Sequence, residues 1–500
     1  MDVRRIRAIS RGGQAGHAQK YLWLSGAILL AMGALGASGW EEYVAYGLIV
    51  LSGLLPMLLW IRIGMRGVPI MPAVGLMHIL YYALPIALKN PDISSFDSVE
   101  ILRSAATVSL FLIAATAAWK MRLIKMRPQM KSGGARETPR YFGLNGFIAI
   151  SMVLGIMFQV SVIGGWLTWA GSVFGLLRAV MMTAAVVGCY LLGAGRGRGT
   201  IRGTFWLLAL LAFGALVALV WSSLFLVGGV IYLAAAVLGY AIESKRLPWR
   251  ALLPLLLLTA ILHAGKAEMR DRYWYPGTNY GGVNSVLQVP GLEWEWMGTG
   301  IKAIATGRYG QSLVDRASLL RMLLIAQQKT PSQVGYLYGR TYMLLPQMLV
   351  PRFLTSGKIA SQAAMDLLNV RYGILSSQGV TATAIGWGPI AEGYANFGYS
   401  GVIIVGLILG LIMGEFSRRS VGANAMSLRM LLAIVAIMTM INLEADLSYL
   451  LVNLFQASMA AFILFSGYRW LVGGRKVPPS ARVGPASGDR GGRPVTAAPK

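Results

Sequence analysis

The sequence predicts an all-α, polytopic integral membrane protein with about 12 transmembrane helices and one large external loop between the ninth and the tenth. Three observations lead there. Hydrophobic residues make up 56% of the chain and charged residues 13%, and the polar residues gather in connectors between apolar runs near the roughly 20 residues that cross a bilayer core. Of the 45 Lys and Arg, 30 fall in alternate connectors, the pattern expected of the cytoplasmic side. One interval, 265–397, is neither a span nor a short connector, and it is rich in Arg, Tyr, Trp and Gly.

In chain order, apolar spans are expected near 21–39, 43–61, 73–88, 101–119, 141–163, 178–194, 204–220, 224–242, 250–264, 398–416, 427–443 and 447–468. Arg4, Arg5, Arg7 and Arg11 precede the first run, which lacks a small-residue cleavage site and reads as a retained helix. Both termini are therefore expected in the cytoplasm of a multi-pass membrane protein. Residues 164–177 are short and glycine-rich, with Trp166 and Trp169 suited to the headgroup belt. The organisation expected is a membrane domain over 1–264, an external cap over 265–397, three closing helices over 398–468 and a disordered tail over 469–500.

Composition also excludes. The net charge of +26 sits mostly beside hydrophobic spans, where it sets topology and meets anionic lipid headgroups, so no nucleic-acid partner is expected. Cys189 is the single cysteine, which rules out an intramolecular disulfide and a thiolate metal site. His17, His78 and His263 have no partner at helical ligand spacing, so neither a metal nor a cofactor is expected.

Within the cap, 311–328 has apolar residues at helix spacing, 336–350 reads as interfacial or re-entrant, and a short amphipathic piece follows around 363–369. Twelve Lys and Arg against seven acids leave the interval net basic. Guanidinium groups fork onto phosphate oxygens and stay charged, and Tyr and Trp offer faces to sugar rings, which together suit a lipid-diphosphate saccharide. The plainer alternative is that the arginines pair with the acids and with lipid phosphates while the aromatics line the membrane interface. Glu293 and Glu295 have the spacing of a metal-holding acid pair, although loop solvation explains them as well, and Glu41 and Glu42 read as topological charges after the first span.

Arg316-x-Ser318-x-Leu320, Thr330-Pro331, Tyr338-Gly339-x-Thr341-Tyr342, Val350-Pro351-Arg352 with Lys358, and Glu392-x-Tyr394-x-Asn396-Phe397-Gly398-x-x-Gly401 follow one another in this order. The series resembles bacterial oligosaccharide repeat-unit polymerases, the Wzy-type O-antigen and exopolysaccharide polymerase family. Gly67-x-Pro69, Tyr81-Tyr82-x-x-Pro85 and the Arg270 to Gly281 spacing fit the same resemblance. It implies a metal-independent glycosyltransferase at the outer face, moving a growing saccharide from undecaprenyl diphosphate onto a new lipid-linked repeat unit. It also implies work beside a flippase and a chain-length regulator. Fixed cations would stabilise the leaving diphosphate, for which Arg316, Arg340, Arg352 and Lys358 are candidates, with Arg270 and Arg272 behind them. A carboxylate would activate the acceptor hydroxyl, Glu392 first, then Asp315 and Asp271. Tyr338, Tyr342 and Tyr394 complete the sugar-binding set. A ligase using the same donor, a flippase or transporter, and an envelope scaffold are the rival readings; the shortage of polar groups within the spans weighs against transport.

Overall fold

The computed structural model describes residues 3–124, 143–274, 283–307, 319–350, 354–355, 359–382 and 385–473. It is helical, with no strand among the described residues. The helices are α1 (Val3–Gly36), α2 (Trp40–Arg62), α3 (Ile70–Ala87, with a π-helical turn at Ile79–Ala83), α4 (Ser98–Ile124), α5 (Leu144–Ile163) and α6 (Phe174–Gly197). They continue as α7 (Gly203–Trp221), α8 (Leu226–Ser244), α9 (Trp249–Trp274), α10 (Val289–Ala305), α11 (Leu319–Lys329) and α12 (Ala363–Arg371). The chain closes with α13 (Gly388–Ser420), α14 (Leu428–Met440) and α15 (Leu447–Gly473).

Ten of these helices are long and apolar enough to cross a membrane, which makes the protein a multi-pass membrane protein. Two of the 12 expected spans are not among these ten. The predicted 21–39 lies in α1, which is not among the ten, and the predicted 427–443 is the shorter apolar helix Leu428–Met440. Ser427 sets the start of that helix by accepting a hydrogen bond from Met430 N, a boundary that hydropathy does not register.

Small residues fix how the helices meet. Gly406, Gly410 and Gly414 recur every fourth residue on α13 and face Phe111, Ala115 and Trp119 of α4; a Cβ at Gly410 would collide with Ala115 O. The backbones therefore approach without intervening side chains, and dispersion along the whole seam holds α13 to α4. Gly193 and Gly239 do the same between α6 and α8. Trp119 is buried between α4 and α13 and donates to Ser417 Oγ (3.3 Å), whose hydroxyl donates to Val68 O (2.9 Å).

The interval between the ninth and tenth predicted spans is helical in large part. α9 runs past residue 264 to Trp274, and α10 packs antiparallel on it, with Gly265 against Gly300 and Trp296 Nε1 donating to Leu262 O (2.6 Å). α13 begins at Gly388, ten residues before the predicted span, so Glu392, Tyr394 and Asn396 lie on its first turns.

Candidate active-site cleft

The site begins with a break in α13. Phe397 (φ −143°, ψ 17°) and Gly398 (φ 63°, ψ −144°) leave helical geometry, and the second requires glycine. The kink turns two carbonyls toward the preceding loop: Ala395 O accepts from Leu337 N (3.0 Å) and Asn396 O from Tyr338 N (3.1 Å). Leu337–Arg340 is a tight turn closed by Arg340 N donating to Leu337 O (3.1 Å). Its central residues, Tyr338 (φ 49°) and Gly339 (φ 86°), are both left-handed, as a type I′ turn demands. The buried Asn396 side chain locks the assembly. Its Oδ1 accepts from Gly339 N (2.9 Å), and its Nδ2 donates to Thr341 Oγ1 (2.8 Å) and Glu392 O (2.9 Å).

The turn delivers Arg340 to a cleft of about 570 Å³, lined by Leu337, Arg340, Asp366, Leu367, Val370, Arg371, Ser377 and Val380. Four of these residues come from one face of α12, so that the Asp366 carboxyl and the Arg371 guanidinium share a wall. Arg371 Nη2 makes one long hydrogen bond, to Gly335 O (3.5 Å). Asp366 Oδ1 is shielded from solvent and has no hydrogen-bond partner, and burial raises its carboxyl above the usual range. The cleft thus combines two exposed cations with one under-satisfied acid.

Behind it the N-terminus of α15 gathers two more carboxylates. Glu392 is fully buried and its Oε2 accepts from Leu447 N (2.7 Å), while Oε1 has no partner. Asp446 Oδ1 accepts from Tyr449 N (2.7 Å), and Oδ2 has no partner. Burial pushes the Asp446 carboxyl up to about 6; backbone N–H groups of Tyr449, Ser448 and Met365 oppose the rise and Asp366 adds to it. The orphan N–H groups and positive end of the helix explain why acids collect there. Tyr342 lies beside them, its hydroxyl unpartnered and its proton held more tightly by burial and then by Glu392 and Asp446.

The predicted residues divide. Arg340 is in the cleft, Tyr338 is exposed on the turn beside Tyr336 (rings 6.2 Å apart), and Tyr342 stacks on Phe397 (6.4 Å). Tyr394 is buried, edge-on to Tyr399 (5.3 Å). Glu392 sits behind the cleft and does not line it. Arg270 and Arg272 are elsewhere, on α9. Arg270 donates to Leu224 O (2.9 and 3.1 Å) and lies over the Trp274 ring (4.1 Å), while Arg272 pairs with Glu268 and with Glu295 (2.8 Å). Glu293 and Glu295 are not a matched pair: Glu295 accepts from Arg272 and Tyr273, and burial pushes Glu293 up to about 8. Asp271 is on the exposed side of α9. Arg316, Arg352, Lys358 and Asp315 lie outside the described residues. Asp366, Arg371 and Asp446 were not among the predicted residues; the sequence signal for the first two was the short amphipathic piece at 363–369, whose helix runs on to Arg371.

Residues 318–466 match the model of the family described as O-antigen polysaccharide polymerase Wzy. The chain resembles the Wzy-type polymerases over this stretch. The match spans the turn, α12, the kink of α13 and the start of α15, so every residue lining the cleft falls inside it. It bears out the resemblance carried by the ordered motifs and supports an O-antigen polymerase, a glycosyltransferase-like enzyme of polysaccharide biosynthesis in the membrane. No curated protein and no solved structure matches the chain.

Proposed function

We propose that the protein polymerises lipid-linked oligosaccharide repeat units at the outer face of the bacterial inner membrane, taking a growing saccharide from undecaprenyl diphosphate and adding it to a new repeat unit. The observation that carries this reading is the cleft with Arg340 and Arg371 on its walls, within the stretch that matches the polymerase family. When the bond to the diphosphate breaks, negative charge grows on the leaving oxygens, and fixed guanidinium groups stabilise it without reorganising. Tyr338, on the same turn as Arg340 and with 73% of its surface exposed, offers an aromatic face for a sugar ring. Arg316, Arg352 and Lys358, outside the described residues, are the further cations that the resemblance assigns to the diphosphate. A flippase that supplies repeat units and a regulator of chain length are the partners this reaction calls for.

The test is the lipid-linked glycan profile of a deletion strain, complemented with wild type, Arg340→Ala or Arg371→Ala at matched protein level. Single repeat units should accumulate on the lipid in the deletion strain, wild type should restore long chains, and each variant should cut extension by at least about tenfold, the loss of one charge-assisted contact. Full-length polymer left on the lipid would instead identify a ligase. Repeat units held on the cytoplasmic side would identify a transporter.

A further inference from the structure

We infer that Asp366, and not Glu392, is the carboxylate that takes the proton from the acceptor hydroxyl. This rests on the polymerase reading above. A general base must reach the proton it removes, which makes access the first criterion. Glu392 fails it: the residue is fully buried, and its Oε2 is engaged by the first backbone N–H of α15. Asp366 meets it, since it lines the cleft together with the two arginines and is only partly buried, its shielded Oδ1 being the inner of the two carboxyl oxygens. The acceptor oxygen forms its bond to the anomeric carbon of the donor as the bond from that carbon to the diphosphate oxygen breaks. The bonding pair leaves with the diphosphate, beside Arg340 and Arg371, and the hydroxyl proton passes to Asp366, which later returns it to water.

The neighbours of Asp366 suit the task. Arg371 on the same helix and Arg340 on the turn line the same cleft, and Asp446 at the start of α15 is close enough for the two carboxylates to repel. Glu392 and Tyr342 face Asp446, and neither lines the cleft. Burial raises the carboxyl in the direction that makes it a stronger proton acceptor at neutral pH.

Membranes of the deletion strain, carrying its accumulated repeat units and the full-length protein, provide the assay: the initial rate of chain extension from about pH 5 to about pH 8.5. Wild type should lose rate on the acidic side as Asp366 takes up a proton. Asp366→Asn should be slower by at least about 100-fold and should lose that acidic limb. Glu392→Gln should keep the limb, whatever it does to protein yield. An Asp366→Asn rate within about threefold of wild type overturns the inference, and so does an acidic limb that disappears in Glu392→Gln and persists in Asp366→Asn. If Asp366→Asn is not recovered in the membrane, Asp366→Glu decides: a slower rate with a displaced limb supports the assignment, and wild-type rate and midpoint overturn it. Failure of wild type itself to extend chains counts against the polymerase reading and not against the choice of carboxylate.

Discussion

Asn396→Ala is the sharpest probe of how the cleft is held. The side chain accepts one hydrogen bond, from Gly339 N, and donates two, to Thr341 Oγ1 and Glu392 O, all in a fully buried setting. At about 1 kcal/mol net for each, the two bonds that reach the turn segment, from Gly339 N and to Thr341 Oγ1, are worth about 2 kcal/mol, the third being internal to α13, and the backbone bonds from Leu337 and Tyr338 to α13 remain. The loss falls on the turn, because α13 keeps its glycine seam with α4. Opening of the turn should therefore become about 30-fold more frequent, at about 1.4 kcal/mol per tenfold. Arg340 sits on this turn, so tryptic cleavage after Arg340 in folded protein, quantified by mass spectrometry, reports the opening; where reclosing is fast, the cleavage rate follows the open population. A change of less than about threefold would refute the reasoning, since the turn would then be held by something other than Asn396.

Gly339→Ala places a side chain at φ 86°, where an L-residue pays about 1–2 kcal/mol, and its Cβ would meet Phe397 Cζ at 3.3 Å. The same cleavage assay should show roughly five- to thirtyfold faster opening, with no effect on helices distant from the kink. Glu293 is held protonated by burial up to about 8, so the folded state keeps a proton that the unfolded chain releases in the ordinary carboxylate range. Stability should therefore be greatest below that range, fall as pH rises toward about 8 and level off above it. Thermal unfolding of detergent-solubilised protein should show this fall, and Glu293→Gln should remove it.

The fold class was legible because bilayer crossing imposes a composition, and ten of the predicted spans coincide with helices of spanning length. The start of α13 was not. Glu392, Asn396, Gly393 and Gly398 make its first turns look like a loop, because a hydropathy window scores polar groups as solvated and cannot know that the turn, Thr341 and α15 satisfy them. Arg340 was recognisable as a phosphate-binding candidate from its place after Tyr338-Gly339, and it does line the cleft. Arg270 and Arg272 carry the same chemistry in sequence, yet their partners are the Leu224 carbonyl, the Trp274 ring and Glu268 on their own helix, and Glu295 on α10. Asp366 escaped notice because nothing local separates it from a helix-surface acid; only the approach of the turn and of α15 makes it a cleft residue.

The two kinds of carboxylate near α15 also explain how a reactive cleft is joined to a rigid membrane body. Glu392 reaches from α13 to Leu447 N, and Asp446 lies against α12 while capping Tyr449 N, so the wall of the cleft and the bundle share one helix end. Asn396 adds the turn to that joint. α13 is in turn seated on α4 through Gly406, Gly410 and Gly414, where backbone meets backbone. The position of Arg340 relative to Arg371 and Asp366 is therefore referred back to backbone contacts within the bundle. Polar groups placed this way need no movement to meet charge as it develops, which is the condition under which electrostatic stabilisation lowers a barrier most. Residues of the joint and residues of the cleft should accordingly fail differently: loss of Asn396 loosens the geometry, whereas loss of Asp366 leaves the geometry and removes the proton acceptor.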